Sequence, residues 1–328
     1  MALPNAKDPR RLHGAIDLGT HSCLLVVGQL DDKAQLAVRH DTCKVPRLGE
    51  GLHQTGRLGR EAMDRTVKVL AGFVRTAREL GVESLTLGAT AAMRRATNRQ
   101  VLIDRVRAEL GLELLLISER DEAELGWIAA TACLANRGGA LGQPVVVVDV
   151  GGGSTEVVAD GGARLRSFPV GGLVLSERFG TDGAIGQDGS VQGDWAGMVD
   201  YLSGEFAELE KWFPGASQTP GGERPLLVAL GGTACNLGCL ELGVADFDHE
   251  AAEAQAFRCS AVLPWGERLA GLSLEQRGEL PVEAARAAVL PAGLACLGQV
   301  AARCGAEELL VTGRGLRYGI LSKILGIG

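Results

Sequence analysis

The chain has 328 residues, enough at roughly 100–200 residues per domain for two domains that each bury a core. A formal charge of -7 argues against a broad nucleic-acid-binding face but leaves room for a local basic pocket that takes an anion. Glycine, at 47 residues, is about twice its usual share yet follows no strict period, which excludes a collagen-like chain and points to many tight turns and close backbone approaches.

The first apolar run, Ala15-Ile16-Asp17-Leu18, leads through the polar turn Gly19-Thr20-His21-Ser22 into Cys23 to Val27, a strand, a turn and a strand. A further turn at Asp31-Asp32 precedes a strand from Lys33 to His40. Helical spacing of Met63, Val67, Leu70, Phe73, Val74 and Ala77 predicts a helix over Gly59 to Leu80, stopped by Gly81. A strand over Ser84 to Leu87, a helix from Asn98 to Leu110, a strand over Leu112 to Ile117 and a helix from Ser118 to about Ala135 follow. After Asn136-Arg137-Gly138-Gly139, Val145 to Val150 is nearly all β-branched, as in a buried strand. It enters Gly151-Gly152-Gly153-Ser154-Thr155-Glu156, a strand over Val157 to Ala159 and a turn at Asp160-Gly161-Gly162. Helices are predicted over Gly172 to Phe179 and Val191 to Phe213, then a polar linker from Pro214 to Arg224. Leu226 to Leu230 is a strand that enters Gly231-Gly232-Thr233. The end of the chain reads as a helix over Pro291 to Cys304, a strand over Glu308 to Thr312, the turn Gly313-Arg314-Gly315 and a terminal helix.

The two halves repeat. Ile16-Asp17-Leu18-Gly19-Thr20-His21-Ser22 aligns without a gap on Val148-Asp149-Val150-Gly151-Gly152-Gly153-Ser154, and each is followed by an apolar strand and a turn containing Asp. A turn rich in Gly and Ser exposes backbone N–H groups and a hydroxyl, a small anion cradle suited to phosphate. Asp17 and Asp149 lie just before these cradles, and Glu156 lies two residues past Ser154. Carboxylates beside phosphate-binding amides imply a hard, oxygen-preferring cation, Mg²⁺ or another divalent ion such as Mn²⁺. Neither a dinucleotide fingerprint in its place nor GxxxxGK[ST] occurs, which disfavours Rossmann and P-loop readings.

On these motifs the chain resembles the exopolyphosphatase/guanosine pentaphosphate phosphohydrolase (Ppx/GppA) family over about residues 14 to 323, in its short two-domain form. The carrying elements are Asp17 to Ser22, Thr90-Ala91-Ala92-Met93-Arg94, Ile117 to Ala123, Asp149 to Glu156, Ala229 to Thr233 and Gly313 to Gly319. The resemblance implies an α/β chain of two related actin-like (ribonuclease H-like) domains, residues 1–136 and 137–328, with a cleft between them. A terminal helix of about 314–328 would pack back on the first domain. It implies Glu122 as the general base that activates water and Arg94 as a phosphate-binding arginine. Gly19, Thr20, His21, Ser22, Gly151, Gly152, Gly153, Ser154, Thr155, Gly232 and Thr233 would cradle phosphates, and Asp149 and Glu156, with Asp17, would hold Mg²⁺. The implied substrate is inorganic polyphosphate, shortened from one end, or the 5′-triphosphate of guanosine pentaphosphate, a role in the stringent response. A homodimer is also implied.

Three residues depart from the family pattern: His21 for asparagine, Glu119 for glycine and Ala288 for aspartate beside Arg286 and Ala287. A nucleotide-dependent small-molecule kinase or ATPase of the same superfamily is the alternative enzyme, and a sensor that binds polyphosphate or guanosine tetraphosphate without cutting is the alternative binder. Eight cysteines are too dilute for a disulfide scaffold, and Cys235 with Cys239 lacks a second pair for zinc. Neither a membrane-spanning apolar stretch nor a signal-peptide core is present, so the expectation is a cytoplasmic protein without membrane or nucleic-acid partners.

Overall fold

The computed structural model describes residues 3–135, 143–187, 189–213 and 224–327. In chain order it carries β1 (His13–Leu18), β2 (Cys23–Leu30), β3 (Leu36–Lys44), α1 (Leu52–Thr55), α2 (Arg60–Glu79), β4 (Ser84–Ala89), α3 (Ala91–Arg95), α4 (Arg99–Leu110), β5 (Leu114–Leu116) and α5 (Glu119–Ala135). There follow β6 (Val145–Val150), β7 (Thr155–Ala159), β8 (Arg164–Phe168), α6 (Gly172–Phe179), α7 (Trp195–Glu205), β9 (Leu226–Leu230), α8 (Gly231–Leu242), α9 (His249–Ala252) and β10 (Ala256–Arg258). Last come α10 (Val262–Ala270), α11 (Leu274–Gly278), α12 (Leu290–Cys304), β11 (Glu308–Thr312) and α13 (Leu316–Ile324). Unit 1 takes the chain up to Ala129 and again from Gly315, and unit 2 is Ala130–Arg314.

Both units are built on one sheet plan. Unit 1 has the strand order β3-β2-β1-β4-β5, and unit 2 has β8-β7-β6-β9-β11 with β10 added at the edge. Antiparallel β1–β2 and β2–β3 correspond to β6–β7 and β7–β8. Parallel β1–β4 and β4–β5 correspond to β6–β9 and β9–β11, each reached through helical crossovers. This duplicated mixed sheet with its helices is the actin-like fold. The strands at the centre are covered on both faces, so β9 is buried at every residue and reads as an unbroken apolar run.

In unit 1, α2 buries the stripe Met63, Val67, Leu70, Phe73, Val74 and Ala77, a 3.6-residue repeat that fits one helix face. The opposite face of β1 and β2, at Ala15 and Val26, is covered by Leu316, Ile320, Leu321 and Ile324 of α13. One polar cluster fastens that helix: Arg317 donates from Nε and Nη2 to Asp41 at 2.9 and 2.7 Å, and Tyr318 Oη donates to Asp41 at 2.7 Å. Burial alone would lower the Arg317 pKa, but Asp41 outweighs it and holds the guanidinium above its ordinary value.

In unit 2, α12 is buried nearly all round because small residues such as Ala292, Gly293, Ala295 and Gly298 let neighbouring elements approach closely. Arg277 is fully buried here and serves backbone carbonyls, Nε donating to Leu269 at 2.8 Å and Nη1 to Ala287 at 2.9 Å. Burial pushes its pKa down to about 10, opposed by Asp182.

Several segments differ from the sequence reading. Val191 to Phe213 is not one helix: Val191 bridges Ile185, and α7 starts at Trp195 because the Asp194 carboxylate caps it by accepting from Gly197 N–H at 2.8 Å. A 3₁₀ turn, Ala207–Lys211, follows it. Arg164–Phe168 is an unforeseen edge strand whose arginines pair outward with Asp160 and Glu208. Gly231 to Thr233 is the first turn of α8. The turn at Asn136 to Gly139 and all of the polar linker except Arg224 lie outside the described residues. Among the described residues, no helix is long and apolar enough to cross a membrane.

Candidate active site

The aligned Gly and Ser turns have the same backbone geometry. Gly19 N–H donates to Ser22 C=O at 2.9 Å, and Gly151 N–H donates to Ser154 C=O at 2.9 Å. A Cβ on Gly19 would lie 3.1 Å from the Ser22 carbonyl and one on Gly151 3.2 Å from that of Ser154, so both turns are tight. Each is held from behind by its carbonyls. In unit 1, Gly49 N–H donates to Thr20 C=O at 2.8 Å and Arg47 N–H to His21 C=O at 3.0 Å. In unit 2, Gly172 N–H donates to Gly151 C=O and Leu173 N–H to Gly152 C=O, both at 2.9 Å. With carbonyls engaged, the N–H groups of Thr20, Ser22, Gly152, Gly153 and Ser154 donate to no backbone carbonyl among the described residues. Such a turn offers donors to an anion. Thr155 is different: its buried hydroxyl donates to Val170 C=O at 2.8 Å, bracing β7.

The carboxylates fall into register. Asp149 on β6 stands opposite Glu156 on β7, while Asp17 at the equivalent place on β1 stands opposite Leu24. Directly opposed antiparallel residues have Cβ atoms about 4.5–5.5 Å apart, and like charges there repel. Glu156 is buried and accepts from Ser167 Oγ at 2.8 Å, and the Asp149 carboxylate lies beside Gly231, whose φ of 79° needs glycine. Two carboxylates beside an anion cradle fit Mg²⁺, which takes one or two protein carboxylates and fills its remaining positions with water and substrate phosphate. Among the described residues, no group of three His, Cys, Asp or Glu side chains suited to a metal occurs.

Unit 1 adds a separate charged pair. Ser118 starts α5, accepting from Asp121 N–H at 3.1 Å through Oγ, and Glu122 N–H donates to Ser118 C=O at 2.8 Å. This puts Glu122 in the first helical turn, where the helix dipole favours an anion. Arg94, at the end of α3, donates from Nη1 to Glu122 Oε2 at 2.6 Å and to Ile117 C=O at 2.9 Å. Side-chain exposures of 16% and 11% leave the pair shielded yet reachable. Glu119 is exposed.

In unit 2, Arg286 lies flat against Gly232: a Cβ there would be 2.2 Å from the guanidinium carbon. A closed set of bonds holds it. Arg286 Nε donates to Glu283 at 2.7 Å, Glu283 N–H donates to Asn236 Oδ1 at 2.7 Å, and Asn236 Nδ2 donates to Gly232 C=O at 2.8 Å. Asn236 and Glu283 carry no local sequence signal. Ala288 contributes only its carbonyl, which accepts from Ser176 Oγ at 3.1 Å. Beside the first loop, burial, then Asp17 and Cys43, hold the Cys23 thiol well above its ordinary pKa. Cys235 and Cys239 are buried outside any disulfide, and Cys239 Sγ donates to Asp248 C=O at 3.1 Å.

The model of the Ppx/GppA phosphatase family matches residues 26–192. Exopolyphosphatase 2 of Mycobacterium tuberculosis (strain CDC 1551 / Oshkosh) is 28% identical over 327 residues, covering 95% of this chain and 98% of the relative. Among solved structures, the Aquifex aeolicus member of the Ppx/GppA protein family is 27% identical, with a TM-score of 0.72 over 96% of this chain and 98% of that one. An exopolyphosphatase from Cytophaga hutchinsonii ATCC 33406 shares the fold, with a TM-score of 0.80, 22% identity and coverage of 97% and 99%.

Proposed function

The chain belongs to the Ppx/GppA phosphatase family, and from that premise we propose that it is an exopolyphosphatase releasing terminal orthophosphate from inorganic polyphosphate. The observation that carries this reading is the opposed Asp149–Glu156 pair beside a Gly-Gly-Gly-Ser turn with available N–H groups. That combination suits a phosphate chain better than a neutral ligand, since the turn takes an anion and the carboxylates take its counter-cation. The turns at Gly19 to Ser22 and Gly151 to Ser154 hold phosphate oxygens. Glu122 accepts a proton from water as the water oxygen bonds to the terminal phosphorus. The bridging P–O bond breaks, and the shortened chain leaves with its electron pair. Arg94 aims the Glu122 carboxylate, and its remaining guanidinium donors serve phosphate oxygens. Asp149 and Glu156 would hold Mg²⁺, which would supply neutralisation of phosphate charge. The 5′-triphosphate of guanosine pentaphosphate presents a similar terminus and is a second substrate.

The test is orthophosphate release from polyphosphate of defined length and from guanosine pentaphosphate, with and without Mg²⁺. Wild type releases phosphate only with the ion, and Glu122→Gln is slower by about 10²–10⁴-fold. Absence of release, phosphate transfer only from ATP to an acceptor, or an equally fast Glu122→Gln overturns the reading.

A further inference from the structure

The segment that braces the first turn contains a residue with two unexplained features. Arg47 has φ of 54°, in the left-handed region that a side chain with Cβ enters at a cost. Its N–H is the donor to His21 C=O, so this strained backbone is fastened directly to the turn. Its Nε is also shut off from solvent and has no hydrogen-bond partner among the described residues. A guanidinium donor in that state lacks an acceptor it needs. The nearest acid in sequence, Glu50, is already taken by Arg65 Nη2 at 2.7 Å, and Arg65 Nε donates to Pro46 C=O at 2.9 Å. Arg65 therefore braces the segment on both sides of Arg47 without neutralising it. Within the turn itself, the buried Ser22 Oγ likewise has no partner among the described residues. Ser22 follows His21, whose carbonyl accepts from Arg47 N–H, so the turn and its brace each carry a donor without an acceptor among the described residues, and an oxyanion supplies what each lacks.

We propose that Arg47 is a further phosphate-binding residue of unit 1, donating to a phosphate oxygen of a chain held on the Gly19–Ser22 turn. This deepens the exopolyphosphatase reading and rests on it for the identity of the ligand. The strained φ follows from the double duty: one residue supplies the N–H that fixes the turn and the cation that meets the ligand. The corresponding brace in unit 2, Gly172 and Leu173, supplies backbone N–H groups with no cationic side chain.

The test compares Arg47→Gly, Arg47→Lys and wild type. Glycine accepts the left-handed backbone, so Arg47→Gly keeps the brace, removes the strain and deletes only the guanidinium. Tripolyphosphate binding is measured by calorimetry, polyphosphate turnover by phosphate release, and the thermal midpoint by scanning. Arg47→Gly is expected to keep or raise the midpoint and to weaken Kd and raise KM by about 10- to 100-fold, more than it changes kcat. Arg47→Lys falls between. A wild type that hydrolyses polyphosphate beside an Arg47→Gly with unchanged Kd and KM overturns the role of Arg47 alone. So does a lowered midpoint with unchanged Kd, the mark of a purely structural residue. A wild type that binds tripolyphosphate without cutting, beside a weakened Arg47→Gly, supports Arg47 and overturns hydrolysis. A wild type that neither binds nor cuts overturns both.

Discussion

Units 1 and 2 share strand order, pairing and the 2.9 Å hydrogen bond that closes the Gly-to-Ser turn, yet they differ in what surrounds it. Unit 2 braces its turn with the first residues of a regular helix and sets two carboxylates opposite each other at Asp149 and Glu156. Unit 1 braces its turn with an irregular segment and places Leu24 where unit 2 has Glu156. Its own acid is Glu122, on a helix that begins elsewhere. The common scaffold supplies the turn, and what differs is where the carboxylates stand: opposite each other on β6 and β7 in unit 2, and on α5 in unit 1.

The largest predicted effect concerns the helix that closes unit 1. Asp41→Asn leaves buried Arg317 without its counter-ion and should lower the stability of unit 1 by about 3 kcal/mol. Unfolding should split into two transitions by calorimetry, with unit 2 unchanged; a single unshifted transition contradicts this. Next, Asp149→Asn or Glu156→Gln should reduce Mg²⁺-dependent phosphate release on the order of 100-fold, and Asp17→Asn distinctly less. Equal losses in a Mg²⁺ titration would erase the distinction drawn between the units. The smallest effects test the two braces. A Cβ at Gly171 would meet the Gly151 carbonyl oxygen at 2.6 Å, whereas one at Gly49 would meet the methyl of Thr20. Gly171→Ala should cost about 1–3 kcal/mol, and Gly49→Ala a similar amount that Thr20→Ser restores. Chemical denaturation of the single and double variants measures this.

The sequence showed the parts of this fold that depend on near neighbours. The valines of β6 and the apolar stripe of α2 each match a single period, and the Gly and Ser turns stand out between apolar strands. The run from Val191 to Phe213 has helical spacing, but Gly193 at φ 134° and the Asp194 cap delay the helix, effects that a period count misses. β8 was obscured because its edge position lets arginines alternate with apolar residues. At the candidate site, the motif placed Glu122 and Arg94, but their direct pairing spans 28 residues and no spacing rule reveals it. The hold of Asn236 and Glu283 on Arg286 across a gap of 47 residues was equally hidden.

The return of α13 to unit 1 has a consequence for synthesis. Ala15 and Val26 emerge early, but the helix that covers them follows all of unit 2, Ala130–Arg314. At about 5–20 residues per second, that face waits on the order of 10–40 s on the ribosome before its partner exists. Unit 2 can complete its sheet first, while that face of the older half goes without its covering helix until the end of the chain arrives.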